Sequence, residues 1–448
     1  MKKLFGTDGI RARAGTFPLD HSTVSLIGRS LAREYRQSLR RTPRFVTGRD
    51  TRESGEWIEA AFHMGASAEG AVCESAGVIT TPGVAFVTKK FAFDAGIVIS
   101  ASHNPFEDNG IKIFSPEGKK ISEETERSIE EAIYSARSEN GEPGTPALND
   151  ARATDYQTAY AEHLAGVFTD LKLEGMSLVI DCANGAASHL APELFRRLSA
   201  SVTAINDEPD GRNINKDCGS LHLGPLCAKV GQLNADFGVA FDGDADRALF
   251  VDEKGNVVDG DATLWVLARF LLDSGDLTNR TVVATVMSNI GLEIALASVG
   301  VELVRTAVGD KYVLDELVRT GSDLGGEQSG HVILPRQSLV GDGIMTTLFM
   351  LNAMRAKGES LSRLTTGFVR YPQILVNVEV REKRPFDEVP GIAIATREIE
   401  DQLADRGRLL LRYSGTENLA RVMIEGKDQG EIENQANSLA DVIRANLG

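Results

Sequence analysis

Cysteine is scarce in this chain: Cys73, Cys182, Cys218 and Cys227 are the four present, and none sits in a C-x-x-C spacing. That argues against a disulfide-stapled secreted domain and points to a protein kept reduced. Long apolar runs are missing too; nothing approaches the ~18 residues of a membrane-spanning helix. Met1 to Phe5 lead directly into Gly6-Thr7-Asp8-Gly9, without the apolar core of a signal peptide, so the expectation is a cytoplasmic protein with no membrane partner. Positive charge is in deficit. A net charge of −16 argues against a general nucleic-acid or anionic-membrane binder. It leaves room for an anionic small substrate, because a local cluster of arginines can hold a phosphate inside an acidic protein. Several catalytic signatures are also absent: there is no G-x-x-x-x-G-K-[ST], no G-x-S-x-G, and no G-x-G-x-x-G after a strand. Gly341-Asp342-Gly343 is an isolated G-x-G.

What is present is ordinary globular material, 42% hydrophobic and 25% charged, and 448 residues suffice for three or four domains. The most informative stretch is 95–105. Ala95 to Ile99 reads as a short buried strand, after which the chain turns small and polar, passes Ser102 and His103, and stops at Pro105. A hydroxyl at the carboxyl end of a strand, followed by an imidazole, is placed for a nucleophile or phosphate acceptor; the alternative is an ordinary polar turn. The loop is expected to be exposed, and Asn109-Gly110 to form a turn that presents Lys112. Upstream, 22–39 reads as a helix, 44–47 as a strand, and Gly48-Arg49-Asp50-Thr51-Arg52 as a loop dense in phosphate-compatible donors. Ser122 caps an acidic helix with Ile129, Ala132 and Ile133 on one face.

The βαβα alternation predicts a mainly parallel α/β domain over 1–153, with the linker at 139–146. A second α/β unit over 154–255 ends its buried strand 237–241 in Asp242-Gly243-Asp244-Ala245-Asp246-Arg247. A third, over 256–368, carries Gly325-Gly326-Glu327-Gln328-Ser329-Gly330-His331. The last, over 369–448, is smaller and of α+β type, with strands flanking Tyr413-Ser414-Gly415-Thr416-Glu417.

Asp242, Asp244 and Asp246 alternate at i, i+2, i+4, which in an extended segment places three carboxylates on one side. Three like charges repel unless a cation sits among them, and hard oxygen ligands in that number suit Mg²⁺. A calcium EF-hand is rejected, although Glu253 falls at the twelfth position. Arg247 stands where glycine is required, and the flanks are strand-like. Around Gly415, the Ser414 and Thr416 hydroxyls, backbone N–H groups and the guanidinium groups of Arg412 and Arg421 compose an anion cradle. Glu327, Ser329 and His331 suit sugar hydroxyls. Together these loops predict a phosphosugar site in a central cleft, about one loop per domain.

GTDGIR (6–11), ASHNP (101–105), NGIK (109–112), NINKDCGS (213–220), DGDADR (242–247), TVMSN (285–289), VGDKYV (308–313), GGEQSGH (325–331) and SGTE (414–417) resemble the motifs of the α-D-phosphohexomutases over essentially the whole chain. NINKDCGS, TVMSN and GEQSGH favour the amino-sugar branch over the phosphoglucomutase/phosphomannomutase branch; a non-catalytic sugar-phosphate sensor is the rival from another class. RYSGTENLAR lacks a proline expected near Tyr413 or Asn418, a difference in loop rigidity that keeps the donors. The resemblance implies three α/β domains and a smaller carboxyl-terminal one. It also implies Ser102 as phosphoserine, and Mg²⁺ on Ser102, Asp242, Asp244 and Asp246. Arg412, Ser414, Gly415, Thr416 and Arg421 would hold the non-reacting phosphate, Arg247, Glu327 and Ser329 would contact the sugar, and Lys112, His103 and Arg11 would handle protons and charge. The implied reaction interconverts glucosamine 6- and 1-phosphates through a hexosamine 1,6-bisphosphate and feeds cell-wall precursor synthesis. A homodimer is left open.

Overall fold

The computed structural model describes residues 3–135, 148–414 and 417–448. The proposed linker at 139–146 lies outside the described residues, as do Gly415 and Thr416. Contacts divide the chain into two units: Met1–Met287 with Val301–Thr366, and Ser288–Gly300 with Gly367–Gly448. Among the described residues no helix is long and apolar enough to cross a membrane.

The first unit holds three mixed sheets built to one scheme. In the six-stranded sheet, Val72–Val78, Arg44–Arg49 and Ala95–Ile99 run parallel. Asp108–Phe114, Gly9–Arg13 and Phe5–Gly6 then continue it antiparallel. In the second sheet, Ser201–Ile205, Ser177–Asp181 and Phe237–Phe241 are parallel, and Ala248–Asp252 and Val257–Val258 return antiparallel. In the third, Glu302–Thr306, Thr281–Thr285 and Gly325–Gly326 are parallel and Val332–Ile333 is antiparallel. Each sheet therefore has three parallel strands, and the chain reverses at the carboxyl end of the third. The reversals are residues 100–107, 242–247 and 327–331, the loops the sequence marks for chemistry.

Helices cover both faces of the first sheet, which is why its central strands read as unbroken apolar runs. Phe45, Ile97 and Ile99 join the core beneath the helices His21–Leu39 and Gly55–Ala68, where Val24, Ile27, Leu31 and Phe62 lie. Val46 and Val98 point the other way, to Val84 and Val87 of the helix Thr81–Lys90. Asn109-Gly110 forms no turn. It lies within Asp108–Phe114, paired with Arg11 and Ala12. A Cβ at Gly110 would come within 2.5 Å of the Ser100 carbonyl oxygen and 2.9 Å of that of Ile10. The glycine therefore serves close strand approach, a use that the Asn-Gly pair does not signal. The expected helix cap is present: the Ser122 hydroxyl accepts from Thr125 N–H at 3.2 Å.

The second unit is a three-stranded antiparallel sheet in the order Gln373–Glu379, Leu419–Gly426, Gly407–Tyr413. Pro390–Leu403 and Gln429–Leu447 pack on it around Ile392, Val422, Ile424, Leu439 and Ile443. The helix Ile290–Ser298 belongs to this unit. Fully buried Glu425 accepts from the Ile290 amide at 3.1 Å, from Asn289 Nδ2 at 3.2 Å and from Arg408 at 3.0 Å.

Candidate active site

Two of the three reversals meet at Ser102. Its backbone is left-handed, φ 53°, a conformation that costs a non-glycine residue roughly 1 kcal/mol. Its side chain is buried, contrary to the exposed loop expected, and its Oγ donates to Asp242 Oδ2 at 2.5 Å. Ser102 N–H donates to Ser100 Oγ, 2.9 Å, and the Ser100 hydroxyl donates to Asp50 Oδ2, 2.6 Å. The loop 242–247 reaches Ser102 because Gly243 has no side chain; a Cβ there would lie 2.6 Å from the Ser102 carbonyl oxygen.

Asp242, Asp244 and Asp246 are all buried, with one oxygen from each within 4.8 Å of the others. A tight turn gathers them, not extended alternation: the Ala245 amide donates to the Asp242 carbonyl at 3.1 Å, and Ala245 has φ 55°. Burial and the neighbouring Asp246 and Asp244 charges hold the Asp242 carboxyl well above its usual range. Among the described residues, Asp244 Oδ1 and Asp246 Oδ1 are buried with no hydrogen-bond partner. The donor set is thus hard, anionic and under-satisfied, which fits a small divalent cation. Glu253 takes no part; it accepts from the Ser360 hydroxyl at 2.7 Å.

Lys112, on the strand Asp108–Phe114, is buried and reaches Asp244 Oδ2 at 2.8 Å, Asp8 at 3.0 Å and Asp246 at 3.2 Å. Burial opposes its charge, but those carboxylates outweigh it and push the ammonium well above its usual pKa. His103 lies with Nδ1 3.3 Å from Ser102 Oγ. Burial, reinforced by Arg247 and Arg11, pushes it down to about 4, so it is neutral at pH 7. Arg11 pairs with Asp8 and approaches Asn104 Oδ1 at 3.4 Å.

A cavity of about 380 Å³ opens beside these groups, within the ~300–1,000 Å³ range of small-molecule sites. Arg11, His103, Asp246, Arg247, Glu327 and His331 line it, with Asp8 and Asp310. Glu327 is held by the Gly309 amide at 3.1 Å, and the Ser329 hydroxyl stands 3.5 Å from its other oxygen. Ser329 backs Glu327 and is not part of the cavity wall.

In the second unit, Arg412 and Arg421 are direct cross-strand partners. Burial and the Arg421 charge lower the Arg412 pKa. Like charges so paired are unfavourable and are relieved by an anion. Arg421 approaches Ser414 Oγ and Glu417 Oε2, both at 3.4 Å, and among the described residues its buried Nε meets no acceptor.

The sequence reading missed Asp8, Asp310 and Thr81 here. Asp8 and Asp310 both bind Lys120, at 2.7 and 2.6 Å; each lies inside a quoted motif, GTDGIR or VGDKYV. The Thr81 hydroxyl donates to Asp244 Oδ2 at 2.5 Å, and no local pattern marks it. Arg52 is a correction: it is no phosphate donor. Its guanidinium is fully buried, salt-bridged to Asp50 at 2.9 Å and turned toward backbone carbonyls.

Models of phosphoglucomutase/phosphomannomutase match four successive segments. The alpha/beta/alpha domains I, II and III match residues 2–140, 158–255 and 259–371, and the C-terminal domain matches 375–442. The chain belongs to the phosphoglucomutase/phosphomannomutase family, and it is a mutase, an enzyme of the isomerase class. Its sequence stands with one branch of that family. It is 48% identical over 447 residues to the phosphoglucosamine mutase of Solibacter usitatus, covering 100% of this chain and 99% of that protein. Against the phosphoglucosamine mutase of Geobacter sp. strain M21 it is 46% identical over 450 residues, with the same coverage. A solved phosphoglucomutase/phosphomannomutase family protein from Burkholderia thailandensis matches with a TM-score of 0.80 at 25% identity, covering 99% of this chain and 97% of that one.

Proposed function

We propose that this enzyme interconverts glucosamine 6-phosphate and glucosamine 1-phosphate, with Ser102 carrying the phosphoryl group and a hexosamine 1,6-bisphosphate as intermediate. The observation that carries the reading is the 2.5 Å contact of the Ser102 hydroxyl with Asp242, inside a buried triad of carboxylates. Near-full-length identity to phosphoglucosamine mutases supports the amino sugar as substrate.

Asp242, Asp244 and Asp246, with the Ser102 phosphate, would hold Mg²⁺, which supplies Lewis-acid stabilisation of the transferring group. The chain's own groups do the rest. The sugar O1 attacks the phosphorus on Ser102; the new P–O1 bond forms as the P–Oγ bond breaks. The O1 proton must leave and Ser102 Oγ must gain one. Neutral His103, with Nδ1 3.3 Å from Oγ, takes the O1 proton and hands it to Oγ as the P–Oγ bond breaks. Lys112, kept charged by three carboxylates, neutralises the developing negative charge, and Arg11 assists from the cavity wall. Glu327, backed by Ser329, and Arg247 orient the sugar. Arg412, Ser414, Gly415, Thr416 and Arg421 bind the phosphate that is not transferring. The bisphosphate then turns, and O6 returns its phosphate to Ser102.

Ser102→Ala should abolish turnover of glucosamine 6-phosphate with Mg²⁺ and trace hexose bisphosphate, while circular dichroism stays native. Activity like the parent enzyme's would remove the nucleophile assignment. Glucose and mannose 6-phosphates assayed in parallel separate the amino-sugar reading from the other branch. A protein that binds all three and turns over none would be a sensor.

A further inference from the structure

We propose that Arg52 and Asn215 act together as positioning residues for phosphoryl transfer, clamping the backbone carbonyls of the Ser102 loop so that the nucleophile keeps its direction. The proposal rests on the reading of Ser102 as phosphoryl carrier.

Arg52 is 3% exposed as a residue, and its guanidinium is closed to solvent and substrate alike. Its Nη donors all go to backbone carbonyls between Ser102 and Asp108. Nη2 donates to the carbonyls of Ser102 at 3.0 Å and Asn104 at 2.8 Å; Nη1 donates to Asp108 O at 3.1 Å and also to Pro105 O. Nε donates to Asp50 Oδ2 at 2.9 Å, which fixes the plane of the fork. The same Asp50 oxygen accepts the Ser100 hydroxyl, whose Oγ in turn accepts Ser102 N–H. The peptide units on both sides of Ser102 are therefore tied, through two routes, to one buried ion pair.

Asn215 reaches the same loop from the second sheet's side. Its Nδ2 donates to Ser102 O at 2.8 Å and to Asn104 O at 3.0 Å, two of the carbonyls that Arg52 holds. Two elements thus share two acceptors, and between them hold Ser102 in its left-handed backbone. A buried carbonyl left without a donor is penalised, and so is the left-handed backbone that the clamp enforces, so loosening the clamp lets the loop relax. Lysine cannot replace Arg52, because one ammonium does not span four carbonyls arranged around a planar fork. The consequence for turnover follows from geometry: a misplacement of about 1 Å at a reacting atom costs about a hundredfold in rate without weakening substrate binding.

The test uses the full-length enzyme with Mg²⁺, glucosamine 6-phosphate and trace hexosamine bisphosphate. Parent, Ser102→Ala, Arg52→Lys, Asn215→Ala and the Arg52→Lys/Asn215→Ala pair are compared by kcat, KM and circular dichroism. Arg52→Lys is expected to lose about a hundredfold in kcat with KM within about threefold. Asn215→Ala, at a half-buried neutral site, loses about tenfold, and the pair loses more than the product of the two, because each single variant leaves the shared carbonyls one donor. A folded Arg52→Lys with parental kcat, a loss carried by KM, or simple multiplication in the pair overturns the clamp. If Arg52→Lys does not fold, parental kcat in Asn215→Ala overturns it. Activity in Ser102→Ala is the distinct failure: it overturns the carrier reading and the clamp built on it.

Discussion

Lys112 Nζ occupies the same oxygen of Asp244 that the Thr81 hydroxyl does, 2.8 Å from the one and 2.5 Å for the other. A cation entering the triad must share Asp244 and Asp246 with an ammonium already there. Lys112→Met should therefore tighten Mg²⁺ or Mn²⁺ binding several-fold by calorimetry, while kcat falls at least about a hundredfold from the lost charge neutralisation. An unchanged or weaker metal affinity would mean that Lys112 does not compete for the triad.

Arg421 faces Arg412 across two strands, and its Nε is buried without an acceptor among the described residues. A group that binds a non-reacting phosphate stabilises ground and transition states equally. Arg421→Ala should raise KM by about ten- to a hundredfold, the value of one or two hydrogen bonds to a charged group, and leave kcat within a few-fold. Steady-state kinetics decide, and a loss confined to kcat would contradict the assignment.

His63 gives a pH signature away from the site. It is buried, with Nε2 2.8 Å from Thr47 Oγ1, and burial aided by the Arg49 charge pushes its pKa down to about 4 from 6.5. Between those values the unfolded chain binds the extra proton. Its contribution to stability is therefore level above pH 6.5 and falls as the pH drops toward 4, by about 2 kcal/mol at pH 5. Urea unfolding at pH 7.5 and pH 5.0 should show the parent losing that much more than His63→Gln. Equal losses would refute it.

Glu425 fastens the helix Ile290–Ser298 within the second unit through Ile290, Asn289 and Arg408. Removing one partner of a buried pair strands the other's charge. Glu425→Ala should destabilise by about 3 kcal/mol or more, and Glu425→Gln, which keeps an acceptor, by less. Differential scanning calorimetry reads the shift, and parental Tm in both variants would count against the anchor.

Local pattern reached a good deal of this. The strand Ala95–Ile99, the strand Phe237–Phe241 and the aspartates that follow the latter were legible because a buried strand ending in clustered polar residues is a local event. Arg52 was misread because a donor-rich loop looks the same whether its donors face phosphate or carbonyls; only the fold turns them inward. Asn109-Gly110 was misread because the glycine answers to Ile10 on a neighbouring strand and to Ser100 just past the end of another. Thr81 and Asn215 act on residues more than a hundred positions away, and no window along the chain contains both ends of such a contact.

The three sheets reverse at 100–107, 242–247 and 327–331, and each returning strand is hydrogen-bonded to the strand it left, with Phe241 opposite Ala248 and Gly326 opposite Val332. A residue inserted in one of these returns has two outlets. It can slide the returning strand by one position, turning its buried side chains to the opposite face, or it can bulge into the cavity that His103, Asp246, Arg247, Glu327 and His331 line. The working loops are thus fixed in length by their own flanks, and variation in this enzyme's reach has to come from substitution there, or from insertion elsewhere.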